Sequence, residues 1–214
     1  MNSIKEQCLQ MGIKEKMIIT SYVEKPLETR RIFLKNFAKL LEELDEEGEC
    51  AEAGVFEGDF AKWINTYFNN KLLYLFDTFK GFDERDIKNE HGLSSAKKGD
   101  YDNKSIETIM KKMPYPEKCL IYKGYFPETA QNVKEKFCFV NLDMDLYKPT
   151  YNGLKFFFDK MTEHGIILVH DYFAENFREP KKAVDQFIKE YEGKISILPI
   201  GDGISVALSK ISKF

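Results

Sequence analysis

Acidic and imidazole side chains stand directly after two short apolar segments in the second half of the sequence. The segments are 137–142 and 165–169, and the residues that follow them are Asp143, Asp145, His170 and Asp171. Carboxylates and imidazole are the side chains that move protons and bind metal ions in many enzymes. The pattern therefore predicts a chemical site, provided that the two segments are neighbours in the fold.

The elements around these residues should make them neighbours. Both segments have the length and the apolar composition of strands that are buried on both faces of a parallel sheet. Between them, Pro149–Met161 is amphipathic and begins with a proline, which the first turn of a helix tolerates. A right-handed strand–helix–strand crossover places both strand ends at one edge of the sheet, where open α/β sheets bind ligands. We therefore expect the polar residues to share one site.

The composition limits the class of protein. The chain has 214 residues, a net charge of −3 and 43% hydrophobic residues, which predicts one folded domain over 1–214. It has no long basic run, so a nucleic-acid partner is not expected. No apolar stretch reaches membrane-spanning length and the first residues contain no signal-peptide core, so we expect no membrane contact and a cytoplasmic location. No two cysteines have metal-ligand spacing, which predicts buried thiols at Cys8, Cys50, Cys119 and Cys138.

Two segments surround the predicted sheet. Residues 1–48 should form an N-terminal helical cap, with Pro26 between two helices. Most of its apolar positions at helical spacing are expected to pack onto the sheet; these positions are Ile32, Phe33, Leu34, Phe37, Leu40, Leu41 and Leu44. Residues 83–103 are polar and too long for a simple connection, which is typical of a lid or a loop insertion. His91 lies in this insertion, where we expect it to be solvated rather than to contact substrate.

A glycine turn follows the first predicted strand. Gly54 and Gly58 lie between this strand and a helix, the arrangement with which doubly wound folds present backbone N–H groups to a cofactor. The turn lacks the GxGxxG spacing and is acidic through Glu52, Glu57 and Asp59. Such a turn disfavours a pyrophosphate and suits an ammonium and a sulfonium, as in S-adenosylmethionine. An ordinary strand–helix turn has the same pattern.

Two further strand ends complete the predicted cofactor site. Asp77 ends the second strand, 72–76, where a carboxylate can accept hydrogen bonds from both hydroxyls of a ribose, although it could equally cap a helix. Gly124 follows the third strand, Cys119–Tyr122, where adenine could lie against the backbone or the chain could simply turn.

The remaining segments define the fold class. Helices are predicted over Ser105–Met113 and Pro180–Tyr191, and a short glycine turn predicts an antiparallel hairpin of Ile195–Ile200 and Ile204–Leu208. The prediction is an α/β, Rossmann-like fold with about seven strands, mostly parallel with an antiparallel last strand, and helices on both faces.

Five segments carry a resemblance to a known family. They are AEAGVFEGDFAKWIN, LYLFDTFKGF, YKGYFPET, LDMDLYKPT and HGIILVHDY, in this order. Over residues 49–191 the chain resembles the macrocin O-methyltransferase family, class I enzymes that use S-adenosylmethionine to methylate sugar hydroxyls on macrolides and related glycosylated natural products. The resemblance implies O-methylation of a sugar or another small-molecule hydroxyl, with a glycosylated metabolite as acceptor.

The resemblance also implies site residues. Those implied to bind the cofactor are Glu52, Gly54, Val55, Phe56, Gly58, Asp77, Thr78, Phe79, Gly124, Tyr125 and Asp143. In the family motif LDGDLY an aspartate ligates a divalent cation and deprotonates the substrate, and its counterpart here is Asp143. The family motif DDY, which completes a Mg or Mn site, is replaced by His170–Asp171–Tyr172. Imidazole suits Mn, Fe or Zn better than Mg. The set Asp143, His170 and Asp171 therefore holds a different metal, a weakly bound one or none, and His170 is a ligand, a catalytic base or structural.

Other functions stay open at this point. Asp143-x-Asp145 also resembles the DxD motif of metal-dependent glycosyltransferases, although that leaves Glu52 and Asp77 without a role. A nicotinamide dehydrogenase would have a GxGxxG turn. A non-catalytic cofactor-binding protein is the third alternative.

Three further residues near the strand ends have two interpretations each. Asp145 could cap the following helix or orient Asp143, and Tyr147 and Tyr172 could line the acceptor pocket or its rim. The sequence does not decide whether the chain forms a homo-oligomer.

Overall fold

The described part of the chain is built around one mixed sheet. The computed structural model describes residues 26–88, 96–102, 105–175 and 178–211. The strands are β1 (Glu49–Ala53), β2 (Leu73–Asp77), β3 (Cys119–Lys123), β4 (Phe137–Leu142), β5 (Met161–Val169), β6 (Ile195–Pro199) and β7 (Val206–Lys210). The α-helices are α1 (Pro26–Glu43), α2 (Asp59–Tyr67), α3 (Glu84–Ile87), α4 (Ile106–Met110), α5 (Tyr147–Lys160) and α6 (Glu179–Glu190), and 3-10 turns lie at Pro116–Lys118 and Glu128–Ala130.

The strand order places a ligand site in the middle of the sheet. The order is β3-β2-β1-β4-β5-β7-β6. Strands β1 to β5 pair in parallel, and β7 runs antiparallel to both β5 and β6. The direction of winding reverses between β1 and β4, and the carboxyl ends of strands at such a switch point form a crevice. The predicted fold class is confirmed.

Two hydrophobic cores cover the two faces of the sheet. Along β1, Ala51 and Ala53 face one core and Cys50 faces the other, as the alternation of a strand requires. Helices α5 and α6 close the first core, in which the ring of Phe157 packs edge-to-face on Phe137. Helices α1, α2 and α4 close the second core.

The buried face of helix α1 differs in part from the predicted one. Leu34 and Leu41 are fully buried, but Ile32, Leu40 and Leu44 are exposed to 50%, 47% and 46%, so these three are not part of the inward face that was predicted for most of the set. A helix can turn only one stripe toward a sheet. The residue on that stripe one turn before Leu34 is Arg30, which is buried.

Several predicted elements changed in length or lie partly outside the described residues. The helix predicted over Ser105–Met113 spans only Ile106–Met110, and the Ser105 side chain caps it by accepting from the backbone N–H of Thr108 at 3.3 Å. Within the predicted insertion, 83–88 contains α3, whereas 89–95 with His91, and 103–104, lie outside the described residues, as does the first part of the cap, 1–25.

The structure also describes three of the four cysteines and the lengths of the helices. Cys50 and Cys138 are buried and free, Cys119 is free but half-buried, and Cys8 is outside the described residues. Among the helices of the described ranges, none is long and apolar enough to span a bilayer.

Candidate active site

A cavity of about 520 Å³ opens at the carboxyl ends of β1, β2, β4 and β5. It brings together most of the residues that the sequence indicated. Those that line it are Glu52, Gly54, Val55, Phe56, Asp77, Thr78, Gly124, Tyr125, Asp143, His170 and Asp171. Gly58 and Phe79 are not among the lining residues: Gly58 is the N-cap of α2 and packs against Ile109, and the Phe79 side chain is in the second core.

The glycine turn touches the end of β4. Gly54 has a φ of 86°, and a Cβ atom at this position would lie 1.8 Å from the backbone oxygen of Asp143. Both the left-handed conformation and the close approach of the two backbones require glycine here. The cofactor turn and the Asp143 turn are therefore in direct contact.

Asp77 holds the glycine turn against β2. Its Oδ2 accepts from the backbone N–H groups of Val55 at 2.7 Å and Phe56 at 3.0 Å, and its Oδ1 accepts from Phe79 at 2.6 Å. A carboxylate that accepts several backbone N–H groups fixes a loop strongly. The structure thus gives Asp77 a positioning role that the sequence did not predict, while its carboxylate still lines the cavity.

Glu52 has a buried carboxyl group beside the cavity. It is 1% exposed, and its Oε1 accepts from the side-chain amide of Asn141 at 2.8 Å. Its Oε2 has no hydrogen-bond partner among the described residues. Burial and the nearby Asp143 raise the pKa of Glu52 well above its usual value. A buried acceptor without a partner beside a cavity is suited to a ligand that donates hydrogen bonds.

The residues after β4 and β5 form the cluster that their positions predicted. Nδ1 of His170 lies 3.1 Å from Oδ1 of Asp143 and 3.1 Å from Oδ2 of Asp171, although it is aligned for a regular hydrogen bond with neither. One donor atom of each residue lies within 4.8 Å of the other two, close enough to surround one ion.

Arg30 also belongs to this cluster, and the sequence reasoning missed it. Its Nη2 donates to Oδ1 of Asn141 at 2.6 Å and lies 3.3 Å from Oδ2 of Asp143. The guanidinium carbon is 3.9 Å from the centre of the Phe60 ring, and the side chain is buried. A sequence signal existed, because an arginine on the apolar stripe of a predicted amphipathic helix needs a buried partner.

These contacts set the charges of the cluster. Burial alone would raise the pKa of Asp143, but the attraction of His170 and Arg30 outweighs it and lowers this pKa to about 2. Burial alone would lower the pKa of His170, but Asp143 and then Asp171 raise it to about 10. Burial and the repulsion of Asp143 and Asp171 raise the pKa of Asp145 well above its usual value. The cluster therefore pairs a carboxylate with two cations beside a neutral carboxyl group.

Asp145 and two tyrosines have roles that the sequence left open. The N-cap of α5 is Leu146, without a side-chain cap, so the capping role considered for Asp145 was wrong. Tyr147 and Tyr172 do not line the cavity; their hydroxyls bond to Gln186 and Asp185 of α6.

Different aromatic residues line the cavity. The ring of Tyr101 lies 5.3 Å from Phe56 and 5.2 Å from Phe82, edge-to-face with both, and all three line the cavity. No sequence motif marks these side chains as neighbours. Tyr125 and Asp86 also line the cavity, and the hydroxyl of Tyr125 donates to Asp86 at 2.7 Å.

Comparisons with known proteins bear on the family and on the fold. The family model described as Macrocin-O-methyltransferase (TylF) matches residues 29–204. A search of curated proteins gave no significant match.

Solved methyltransferase structures share the fold. The O-methyltransferase NovP has 16% identity over 86% of this chain and 80% of that chain, with a TM-score of 0.72. The calicheamicin methyltransferase CalS11 has 16% identity over 98% and 94%, with a TM-score of 0.68. The S-adenosylhomocysteine-bound methyltransferase PaMTH1 of Podospora anserina has 13% identity over 82% and 76%, with a TM-score of 0.56. The fold is that of class I methyltransferases.

Proposed function

This chain belongs to the macrocin O-methyltransferase family, and we propose on that basis that it transfers a methyl group from S-adenosylmethionine to a hydroxyl of a sugar or another small molecule. The observation that carries the proposal is that the glycine turn, Asp77 and Asp143 meet around one cavity. The family motifs, which are far apart in the sequence, thus form a single site at the switch point of the sheet.

We propose a position for each part of the cofactor from the polar groups in the cavity wall. Oε2 of Glu52, which has no hydrogen-bond partner among the described residues, suits the ammonium of the methionine end. Asp77 suits the ribose hydroxyls, and Gly124 with Tyr125 suits the adenine end. In this proposal Gly58 and Phe79 support the site through packing rather than through contact with the cofactor.

When bound, S-adenosylmethionine supplies an electrophilic methyl group on a sulfonium. The protein has to align the acceptor hydroxyl and accept its proton. Asp143 is ionised beside the cavity and is the group we assign as the proton acceptor. His170 is the second catalytic residue: with its pKa raised to about 10 it is a cation that holds Asp143 and Asp171, and it is not the base in the empty enzyme.

The residues present do not fit a divalent metal. Magnesium prefers a near-octahedral set of oxygens, and this cluster offers two carboxylates and an imidazole. The guanidinium of Arg30, 3.3 Å from Asp143, would repel a dication at the same carboxylate. We therefore assign no step to a metal.

The walls of the cavity support a small ring-shaped acceptor. Phe56, Phe82 and Tyr101 offer aromatic faces at one side, as sugar-binding sites often do, and Tyr101 belongs to the polar segment 83–103, which is predicted to be a lid or a loop insertion. We propose a sugar or glycosylated metabolite as acceptor, without nucleic acid or membrane. The free thiols of the described cysteines fit a cytoplasmic enzyme.

The rival functions fit less well. A DxD glycosyltransferase needs two ionised carboxylates that chelate a metal, whereas Asp143 is paired with two cations and the pKa of Asp145 is raised. A nicotinamide dehydrogenase would need a GxGxxG turn, which this chain does not have after its first strand. A non-catalytic cofactor-binding protein remains as an outcome of the following test.

The test is calorimetric titration of the protein with S-adenosylmethionine, S-adenosylhomocysteine, NAD and a nucleotide sugar. We expect micromolar binding of the first two alone. Formation of S-adenosylhomocysteine is then measured with a panel of glycosides, and Asp143→Asn should lower turnover by about 10²–10⁴-fold while cofactor affinity changes little. Binding of the nucleotide sugar alone would contradict the proposal, and cofactor binding without turnover on any acceptor would favour the non-catalytic alternative.

A further inference from the structure

We propose that Arg30 and His170 take the place of a divalent metal in this enzyme, so that methyl transfer here is metal-independent and Arg30 is a positioning residue for Asp143. The inference rests on the proposed methyltransferase function and concerns the same site. It starts from the contacts of Arg30, which nothing in the sequence motifs accounts for.

Arg30 is a fixed part of the cavity wall rather than a surface side chain. It is 5% exposed, and Phe60 stacks on its guanidinium from α2. Asn141 of β4 accepts from its Nη2 at 2.6 Å. Neighbours on two different elements thus hold the charge in one place, and a preorganised charge of this kind acts without reorganisation during a reaction.

Arg30 and His170 contact different oxygens of the same carboxylate. Oδ2 of Asp143 faces Nη2 of Arg30 at 3.3 Å, and Oδ1 faces Nδ1 of His170 at 3.1 Å. The orientation of the carboxylate is therefore fixed from both sides. A metal bound to one oxygen and a neighbouring residue bound to the other would achieve the same orientation.

The charge of the donor cluster also argues against a bound dication. The cluster contains Asp143, His170 and Asp171, and the third carboxylate of the family motif is here the imidazole of His170. With Arg30 included, two negative charges face at least one positive charge, whether or not the imidazole is protonated. A hard dication is bound tightly where several carboxylates lack other partners. Among Asp143, His170, Asp171 and Arg30, at most one negative charge is left over.

The step that this arrangement supports is balanced without a metal. The oxygen of the acceptor hydroxyl forms a bond to the methyl carbon as the carbon–sulfur bond breaks and leaves its electron pair on sulfur. The hydroxyl proton passes to Asp143 and from there to water. Arg30 and His170 keep the accepting oxygen in place and do not change their covalent state.

The first experiment uses the wild-type protein. Mn²⁺ is titrated by electron paramagnetic resonance in the presence of S-adenosylhomocysteine, and cofactor affinity is measured with EDTA and with Mn²⁺. We expect no saturable Mn²⁺ binding at millimolar concentration and the same cofactor affinity under both conditions. Saturable one-to-one binding of Mn²⁺ that Asp143→Asn removes would overturn the inference.

The second experiment rebuilds the carboxylate set. Arg30→Met keeps an apolar side chain on Phe60 and removes the charge, and His170→Asp restores the family motif. The double variant should gain Mn²⁺ binding, whereas His170→Asp alone, which keeps Arg30, should bind Mn²⁺ more weakly. A double variant that folds, as judged by circular dichroism, and gains no Mn²⁺ affinity would contradict the role of Arg30 as a substitute cation.

Activity separates positioning from structure once an acceptor is known. Arg30→Met should lower kcat by about 10²-fold with little change in KM, and Arg30→Lys should restore part of it, because a charge near Asp143 is what the step needs. Equal losses in both variants would indicate a structural role only. Cofactor binding by the wild type decides the proposed function independently: its absence refutes the methyltransferase, whereas Mn²⁺ binding with cofactor binding refutes this inference alone.

Discussion

The carboxyl groups on the two sides of the cavity differ in the partners of their oxygens. On the cofactor side, formed by Glu52, Gly54 and Asp77, Oε2 of Glu52 has no partner among the described residues. On the transfer side, formed by Asp143, His170 and Asp171, a cation lies next to each oxygen of Asp143. Oε2 of Glu52 can thus accept a hydrogen bond from a ligand, whereas both oxygens of Asp143 already face groups of the protein. The location of an unpaired buried group indicates where a charged ligand binds.

The two sides are not independent, because they meet at Gly54. The backbone of this residue approaches the backbone oxygen of Asp143 so closely that no side chain fits between them. Changes at this contact should affect both sides, whereas changes at Asp77 should affect mainly the cofactor side. The following predictions test that difference.

The largest effect is expected for Gly54→Ala. The new methyl group would lie 1.8 Å from a backbone oxygen at a φ of 86°. We therefore expect the free energy of unfolding, measured with urea, to fall by about 3 kcal/mol or more. Cofactor binding should be lost as well. Gly201→Ala is the matched control, because its φ is 87° and nothing lies within 4 Å of the added atom. It should cost about 1–2 kcal/mol and leave cofactor affinity unchanged. Similar losses in both variants would mean that backbone conformation, and not the contact of the two sides, is what matters.

An intermediate effect is expected for Asp77→Asn on the cofactor side. The amide keeps the shape but loses the charge that accepts three backbone N–H groups, so S-adenosylhomocysteine affinity should fall by about 10–100-fold in calorimetry. Asp202→Asn serves as control, because Asp202 likewise accepts from two backbone N–H groups and a hydroxyl but lies outside the cavity lining. It should lower stability without lowering cofactor affinity. An unchanged affinity in Asp77→Asn would remove Asp77 from the proposed ribose site.

The smallest effect is a pH dependence that Glu52→Gln should abolish. Burial raises the pKa of Glu52 in the folded state, so its contribution to stability is complete below its unfolded pKa, about 4.3, and is lost as the pH rises through the raised folded value. The groups that face Glu52 are Arg30 from α1, Asp77 from β2, and Asn141 and Asp143 at the end of β4. In the empty protein, Glu52→Gln should therefore be more stable than the wild type near neutral pH, and the advantage should disappear toward pH 4.

A ligand pair sharpens the same prediction. Glu52→Gln should weaken S-adenosylmethionine binding by about tenfold, since it removes the charge that faces the ammonium. The affinity for methylthioadenosine, which has no ammonium, should not change. An equal loss for both ligands would place the effect of Glu52 elsewhere than at the methionine end.

Much of the site could be predicted because it follows from local patterns. Each strand ends where its apolar run ends, and parallel strands bring these ends to one edge, so Glu52, Asp77, Asp143 and His170 were expected together. The short helix α4 was predicted too long, since propensity extends a helix that tertiary packing stops. The orientation of α1 was predicted only in part, because a helix with apolar residues on several sides does not determine which of them face the sheet.

The sequence by itself determined the order of strands and helices, the acidic turn and the residues at the strand ends, because these depend on periodicity and on the handedness of the crossover. Only the tertiary structure decided the electrostatic state of the site. Arg30 and Asn141 are 111 residues apart, and nothing local to either indicates that they meet. The charge on Asp143 and His170 depends on that contact and on burial, which are properties of the packed protein and not of any segment.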